Sequence, residues 1–157
     1  MKLQDKNIVI TGAANGIGLA LAKRFLRESP NSISLIDINI SVNKVASELG
    51  AKGYVADVTN ENQFQSILNQ IIDSEGSIDL FCSNAGIQQF GTLETSTNDW
   101  QKNWDVNVMS HVHAAKVLIP HMQSRKTGYL LLTVSAAGLL NMPSALTYAT
   151  TKHAAMG

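Results

Sequence analysis

A single cysteine, Cys82, stands in the 157-residue sequence, so an internal disulfide cannot form and a disulfide-stapled secreted scaffold is excluded. Cys82 lies in the apolar run 78–82 and reads as a buried strand residue, with a catalytic thiol as the lesser alternative. Charge of one sign is equally lacking, since 12 Lys and Arg balance 12 Asp and Glu. With no basic run or interleaved aromatics to follow a phosphate backbone, nucleic acid is not an expected partner. No apolar run nears the length of a membrane span, and Met1-Lys2-Leu3-Gln4-Asp5-Lys6 lacks the apolar core of a signal peptide. The expectation is therefore a cytoplasmic protein without a membrane partner. Internal repeats, low-complexity segments and linkers are missing too. The four histidines form no metal-ligand pattern. His111 and His113 sit two apart on a predicted helix and point in different directions, while His121 and His153 have no nearby Cys or carboxylate cluster. All four read as surface or interface residues, and no metal is expected. The remaining composition, 45% hydrophobic and 15% charged, suits one globular domain spanning 1–157 with a substantial core.

Against this plain background one stretch stands out. Thr11-Gly12-Ala13-Ala14-Asn15-Gly16-Ile17-Gly18 turns an apolar strand, 7–10, into a helix through three spaced glycines. A pyrophosphate needs backbone N–H donors at a helix N-terminus, where unpaired amides and the macrodipole both favour an anion. Gly12 can take a turn conformation closed to other residues, Gly16 lets the backbone approach phosphate, and Gly18 lets the helix lie close on the strand. Taken alone, the stretch also reads as a flexible loop of small residues. Its context favours the nucleotide reading: Ile8, Val9 and Ile10 form a β-branched run, and Ile17, Leu21 and Phe25 recur at four-residue spacing in the helix that follows.

Further along, 33–37 reads as a second strand closing at Asp37, which falls 19 residues after Gly18. A carboxylate at about this distance, roughly 20 residues on, accepts hydrogen bonds from an adenosine ribose. Its charge repels a 2′-phosphate, and no Arg or Lys occurs among Ala13, Ala14 and Asn15 or at Ile38 and Asn39 to compensate, so NAD is favoured over NADP. Alternatively, Asp37 starts a turn or caps the helix predicted over 41–49. A third strand, 53–56, precedes Asp57-Val58-Thr59 and a helix with Phe64, Ile67, Leu68, Ile71 and Ile72 on one face. A fourth, 78–82, runs into Ser83-Asn84-Ala85-Gly86. A long helix over about 105–122 is expected to bury Val108, Val112, Ala115, Ile119 and Met122, with Asn107 early in it. The fifth strand, 128–134, ends at Ser135. Strands alternating with helices predict an α/β fold: a doubly wound parallel sheet with helices on both faces.

Tyr148 and Lys152 stand four residues apart, on one face of a helix. A phenol becomes a useful acid/base when an adjacent cation favours its phenolate, although this pair alone arises often by chance at a surface. In order and spacing, the whole series resembles the short-chain dehydrogenase/reductase family. TGxxxGxG matches Thr11 to Gly18, the acidic residue after strand two matches Asp37, and the adenine-side Asp matches Asp57. NAG matches Asn84-Ala85-Gly86, the helix asparagine matches Asn107, the serine matches Ser135, and YxxxK matches Tyr148 and Lys152. The resemblance implies direct hydride transfer between NAD and a secondary alcohol or ketone. Tyr148 would act as general acid/base and Ser135 would hydrogen-bond the substrate oxygen. Lys152 would support the phenolate and hold the nicotinamide ribose, while Asn107 would support a proton-relaying water. It also implies cofactor contacts from Gly12, Asn15, Gly16, Ile17, Gly18, Asp37, Asp57, Val58, Asn84, Ala85, Gly86, Tyr148 and Lys152, with Asp57 meeting the adenine amino group.

The departure from the family lies at the end. Its members typically run to about 200–250 residues, whereas this sequence stops at Gly157, inside the YxxxK helix. The last sheet strands and the segment closing over substrate are then absent from this chain, and the fifth strand is expected to be an uncovered edge. Two alternatives follow: a longer natural chain that forms a homo-oligomeric dehydrogenase, or a fragment that binds a dinucleotide without turnover. A flavodoxin-like or phosphate-binding protein is disfavoured because it leaves Asn107, Ser135, Tyr148 and Lys152 unexplained as a set. Phe90, Ala136, Ala137, Leu139, Leu140 and Met142 imply an apolar mouth, and with it a mild preference for hydrophobic over charged substrates.

Overall fold

The computed structural model describes residues 1–140 and 143–157. Five parallel strands, β1 (Asn7–Thr11), β2 (Ser32–Asp37), β3 (Lys52–Val55), β4 (Leu80–Ser83) and β5 (Tyr129–Leu132), pair in the order β3-β2-β1-β4-β5. Helices α1 (Gly16–Leu26), α2 (Ser41–Leu49), α3 (Glu61–Glu75), α4 (Thr97–Trp104), α5 (Ser110–Arg125) and α6 (Leu146–Met156) surround this sheet. The doubly wound α/β expectation holds. Because successive strand residues point to opposite faces, Ile8 and Ile10 pack with Ala22 and Val42 on the α1 and α2 side. Val9 packs instead with Phe64, Phe81 and Leu118 on the α3 and α5 side. The order reverses between β1 and β4, which opens a crevice at their C-terminal ends, the position where such sheets bind ligands.

Most predicted elements recur within one or two residues, and 41–49 recurs as α2 itself. The long helix is the main correction. It is continuous from α4 through a π-helical turn, Asp105–Met109, into α5, and α4 was not expected. Its start is nevertheless written in Ser96-Thr97-Asn98-Asp99, a capping arrangement in which Ser96 Oγ accepts from the Asp99 N–H at 3.1 Å and donates to its carboxylate at 2.8 Å. Of the predicted apolar stripe only Met122 is buried, while Val112 and Ile119 are exposed. The buried face is Ser110, His113, Ala114, Leu118 and Met122. Two polar members conceal it, because Ser110 Oγ donates to the Val106 carbonyl and His113 is bonded to the Val58 carbonyl. Likewise Ile17 is not a core position of α1 but stands 63% exposed, and Gly18 and Ala22 are buried in its place.

The surface reading of the histidines holds for His153, which is exposed, and is corrected for the others. His113 is buried and His111 half-buried, and His121 Nε2 accepts from the Ile78 N–H at 3.4 Å. Cys82 is buried as expected, and burial pushes its thiol up to about 12, which removes it as a nucleophile. β5 is a sheet edge with all four residues exposed. Among the described residues, no helix is long and apolar enough to cross a membrane.

The cap supplies a stability test. Ser96→Ala is expected to lower unfolding free energy by about 1 kcal/mol in denaturant titration; an unchanged midpoint would show that the capping bonds do not hold the start of α4.

Candidate functional site

The glycine turn has the geometry its sequence calls for. Gly12 sits at φ 64°, and a Cβ there would lie 2.8 Å from the Ala85 Cα. Gly16 sits at φ 53° with open space where a Cβ would project. At Gly18 a Cβ would fall 2.2 Å from the Gly12 carbonyl oxygen, so this glycine seats α1 on the turn itself rather than on the strand. Asn15 makes no side-chain cap, the first turn carries no acid, and the first helical bond runs from the Leu19 N–H to the Asn15 carbonyl. The amides of Gly16, Ile17 and Gly18 therefore have no partner within the helix, which leaves an anion site at its N-terminus.

Thr11 and Asn84 hold this turn against β4. Thr11 Oγ1 accepts from the N–H groups of Asn84 and Ala85, both at 3.0 Å, and donates to the Cys82 carbonyl. Asn84 Nδ2 donates to the Thr11 and Gly12 carbonyls, while its Oδ1 accepts from Thr133 Oγ1 at 3.0 Å. The carbonyl of Thr133 in turn accepts from Lys152 Nζ at 3.0 Å. One hydrogen-bonded series thus runs from the glycine turn to α6. Asn107, fully buried, accepts from the Ile87 N–H at 2.9 Å and donates to the Ile87 carbonyl and Thr151 Oγ1. It thereby ties the π turn both to the segment after Gly86 and to α6. A Cβ on Gly86 would lie 3.2 Å from Asn107 Oδ1 and 3.5 Å from Lys152 Nζ.

These contacts frame a cleft of about 750 Å³. Gly12, Asn15, Ile17, Asp37, Asp57 and Val58 line one part, and Asn84, Ala85, Gly86, Ser135, Tyr148 and Lys152 line the rest. Gly16, Gly18 and Asn107 adjoin these residues without lining the cleft. Asp37 does start a turn, accepting from the Asn39 N–H at 2.9 Å, but it does not cap α2. Its second oxygen accepts from the Ala14 N–H at 2.9 Å and so clamps the glycine turn. Asp57 Oδ1 accepts from both the N–H and the hydroxyl of Thr59. Lys152 is only 4% exposed, lies 5.8 Å from the Tyr148 ring centroid, and has its pKa lowered by burial. Ser135 Oγ accepts from the Ala137 N–H at 3.1 Å.

The sequence reading missed Thr133, Lys102 and Ile38, which also line the cleft. Thr133 alone had a visible signal, as a hydroxyl closing an apolar strand two residues before Ser135. Of the expected apolar mouth, Phe90, Leu139 and Leu140 are exposed and Ala137 is buried, and none of them lines the cleft. Met142 lies outside the described residues. Behind the cleft, His111 Nδ1 meets Ser83 Oγ at 2.6 Å, and its buried Nε2 has no partner among the described residues. Burial, with the Lys152 charge added, pulls this imidazole down to about 4.

A sequence model of the short chain dehydrogenases matches residues 6–157. Oxidoreductase UcpA of Escherichia coli (strain K12) is 34% identical over 99% of this chain and 62% of its own length. Meso-2,3-butanediol dehydrogenase of Serratia marcescens is 34% identical over 88% of this chain and 57% of its own length. Among solved structures, a short chain dehydrogenase/reductase from Burkholderia phymatum in complex with NAD superposes with a TM-score of 0.94 at 32% identity, over 99% of this chain and 58% of that one. An NAD+-bound xylitol dehydrogenase gives a TM-score of 0.90 at 30% identity, over 98% and 62%. The chain therefore spans less than two thirds of the length of these relatives.

The buried imidazole carries a pH signature. An unfolded histidine protonates near 6.5, whereas folded His111 resists protonation until about 4. The unfolded chain thus binds more protons between these values, and stability falls as pH drops through this window and levels below it. Allowing for the ring's partial exposure, the expected loss is about 2 kcal/mol. Urea midpoints at pH 7 and pH 4.5 test it. His111→Gln should shrink the difference without abolishing it, because His121 is also held low, by burial and by Arg125; an equal acid loss in both proteins would refute the assignment.

Proposed function

Because the chain belongs to the short-chain dehydrogenase family, we propose that it is an oxidoreductase exchanging hydride between NAD and a secondary alcohol or its ketone. One observation carries the reading: a single cleft brings an uncapped, glycine-cradled helix N-terminus together with Asp37, Asp57, Ser135, Tyr148 and Lys152. A dinucleotide fits this set. The open side of Gly16 and the free amides of the first turn suit a diphosphate, and Asp37 retains acceptor capacity for ribose hydroxyls beyond its two backbone bonds. The NAD bound in two of the similar solved structures supports the same choice, and the butanediol and xylitol dehydrogenases support a secondary alcohol.

When bound, the nicotinamide supplies or receives the hydride. Tyr148 exchanges a proton between its phenolic oxygen and the substrate oxygen, and Ser135 hydrogen-bonds that oxygen as its charge changes. Lys152 places a buried ammonium 5.8 Å from the centroid of the Tyr148 ring. Having donated one of its three hydrogens to Thr133, it keeps two for ribose hydroxyls. Both Asn107 amide hydrogens are engaged by Ile87 and Thr151. Its service to a relaying water therefore falls to the one Oδ1 lone pair left beside the Ile87 N–H and to the position it gives its neighbours. The same reading makes 1–157 one dinucleotide-binding domain of a cytoplasmic homo-oligomer. A second reading, dinucleotide binding without turnover, draws on the chain spanning less than two thirds of its relatives' length.

For cofactor choice, NAD should bind more tightly than NADP, because Asp37 meets the 2′-phosphate as a like charge. Asp37→Ala should narrow the ratio on the order of tenfold at fixed salt. Equal affinities in the unmodified protein would overturn the preference. For catalysis in the full chain, Tyr148→Phe should lower kcat by at least about 100-fold while NAD affinity stays within about twofold. Lys152→Ala should weaken NAD binding as well as slow turnover, with residual activity moved to higher pH. If Tyr148→Phe retained most of its kcat, or Lys152→Ala changed neither affinity nor pH profile, the acid/base assignment would fail. NAD binding by a chain without turnover would favour the second reading.

A further inference from the structure

Helix α5 sends a histidine beneath the cleft floor, and no part of the chemistry above uses it. His113 is 6% exposed. Its Nδ1 lies 3.2 Å from the carbonyl oxygen of Val58, 55 residues away in sequence, and its Nε2 faces Glu61 Oε2 at 3.8 Å. A carbonyl only accepts, so Nδ1 carries the hydrogen and the ring stands in a defined tautomer. Glu61 opens α3 and accepts from Lys116 Nζ at 2.7 Å, so the hydrogen bond that orients the ring is the one from Nδ1 to Val58. Gln65 Nε2, donating to the His113 carbonyl at 3.4 Å, fastens the same helical turn to α3.

What the imidazole grips is a strand-to-helix connection. Between β3 and α3, Ala56, Asp57, Val58 and Thr59 all line the cleft. Ala56 and Val58 also pack into the core with Phe64 and Leu118, but the other hydrogen bonds on this connection are short-range or come from the sheet side. The Ala56 N–H donates to the Asp37 carbonyl, the Asp57 N–H to Gln63 Oε1, and the Asn60 N–H to the Asp57 carbonyl. His113 alone among the described residues holds the Val58 carbonyl from α5. With the carbonyl fixed, the direction of the Val58 peptide is fixed, and with it the positions of the Asp57 carboxylate and the Val58 side chain at the cleft.

We propose that His113 is a positioning residue for the adenine end of the dinucleotide: by donating from Nδ1 to the Val58 carbonyl, it sets the wall that Asp57 and Val58 present to the base. The inference rests on the dinucleotide reading above. It separates the two halves of the ligand, because the Ser135, Tyr148 and Lys152 part of the cleft is held by Thr133 and Asn107 instead. A purely structural role for His113 would weaken both halves alike.

The test measures binding of AMP and of nicotinamide mononucleotide to the full chain, with melting temperature recorded for each variant. If the unmodified protein binds neither NAD nor AMP, the dinucleotide reading fails and this inference falls with it. Given AMP binding, His113→Leu should weaken AMP about tenfold, the worth of one hydrogen bond, and leave the mononucleotide within about twofold. His113→Asn places an amide donor where Nδ1 stood and should restore AMP affinity to within about threefold; His113→Gln places its amide where Nε2 stood and should not. If the leucine variant melts too early to titrate, the Asn and Gln pair carries the comparison. Equal loss of both ligands, unchanged AMP affinity in His113→Leu, or Asn and Gln variants that bind AMP alike would overturn the inference.

Discussion

The hydrogen bonds between Thr11 and Asn84 are the constraint on which the cleft depends. β1 and β4 are neighbours in a parallel sheet, and at their C-terminal ends the ladder stops, leaving backbone groups that need partners. Thr11 Oγ1 takes two of these N–H groups and Asn84 Nδ2 takes two carbonyls, so a pair of side chains finishes what the ladder began. The result holds Gly12 so close to Ala85 that only a hydrogen fits between them. Removing either side chain would leave buried donors or acceptors unmet, at about 1–3 kcal/mol each.

The same bonding continues to the proposed site of reaction. Asn84 reaches Thr133, Thr133 reaches Lys152, and Lys152 lies beside Tyr148. An ammonium this deeply buried has no carboxylate partner among the described residues, and its desolvation is offset through a neutral carbonyl. Such a charge is free to act on a phenol and on bound hydroxyls rather than being neutralised by an ion pair. The carboxylates Asp37 and Asp57 are instead placed at the ends of β2 and β3, across the sheet from the lysine. The cleft thus has a basic region at the proposed site of reaction and an acidic region at the proposed site of adenosine.

The correction at α5 shows how a polar interior misleads a pattern. A π-helical turn changes the angular phase of every residue after it, so a stripe extended from Val108 at helical spacing rotates off the core. The true buried face carries Ser110 and His113, whose polarity is satisfied by the Val106 and Val58 carbonyls. Judged by hydrophobicity alone, both residues belong at the surface. The half-buried His111 and His121 follow the same logic, since burial becomes tolerable once a ring nitrogen has a partner.

Local chemistry by itself determined the strands, most of the helices, the glycine turn, and the spacing of Asp37, Tyr148 and Lys152. Each of these is governed by backbone conformation or side-chain period within a few residues, so the order of amino acids carries it directly. The capping signal at Ser96 and Asp99 is of the same kind and was available to be read. Only the tertiary structure decided which polar groups meet across the fold. Thr11 meets Asn84 over 73 residues, Asn84 meets Thr133 over 49, and His113 meets Val58 over 55. Such contacts depend on how the strands are ordered and how deeply each helix sits against them, and no local propensity encodes either.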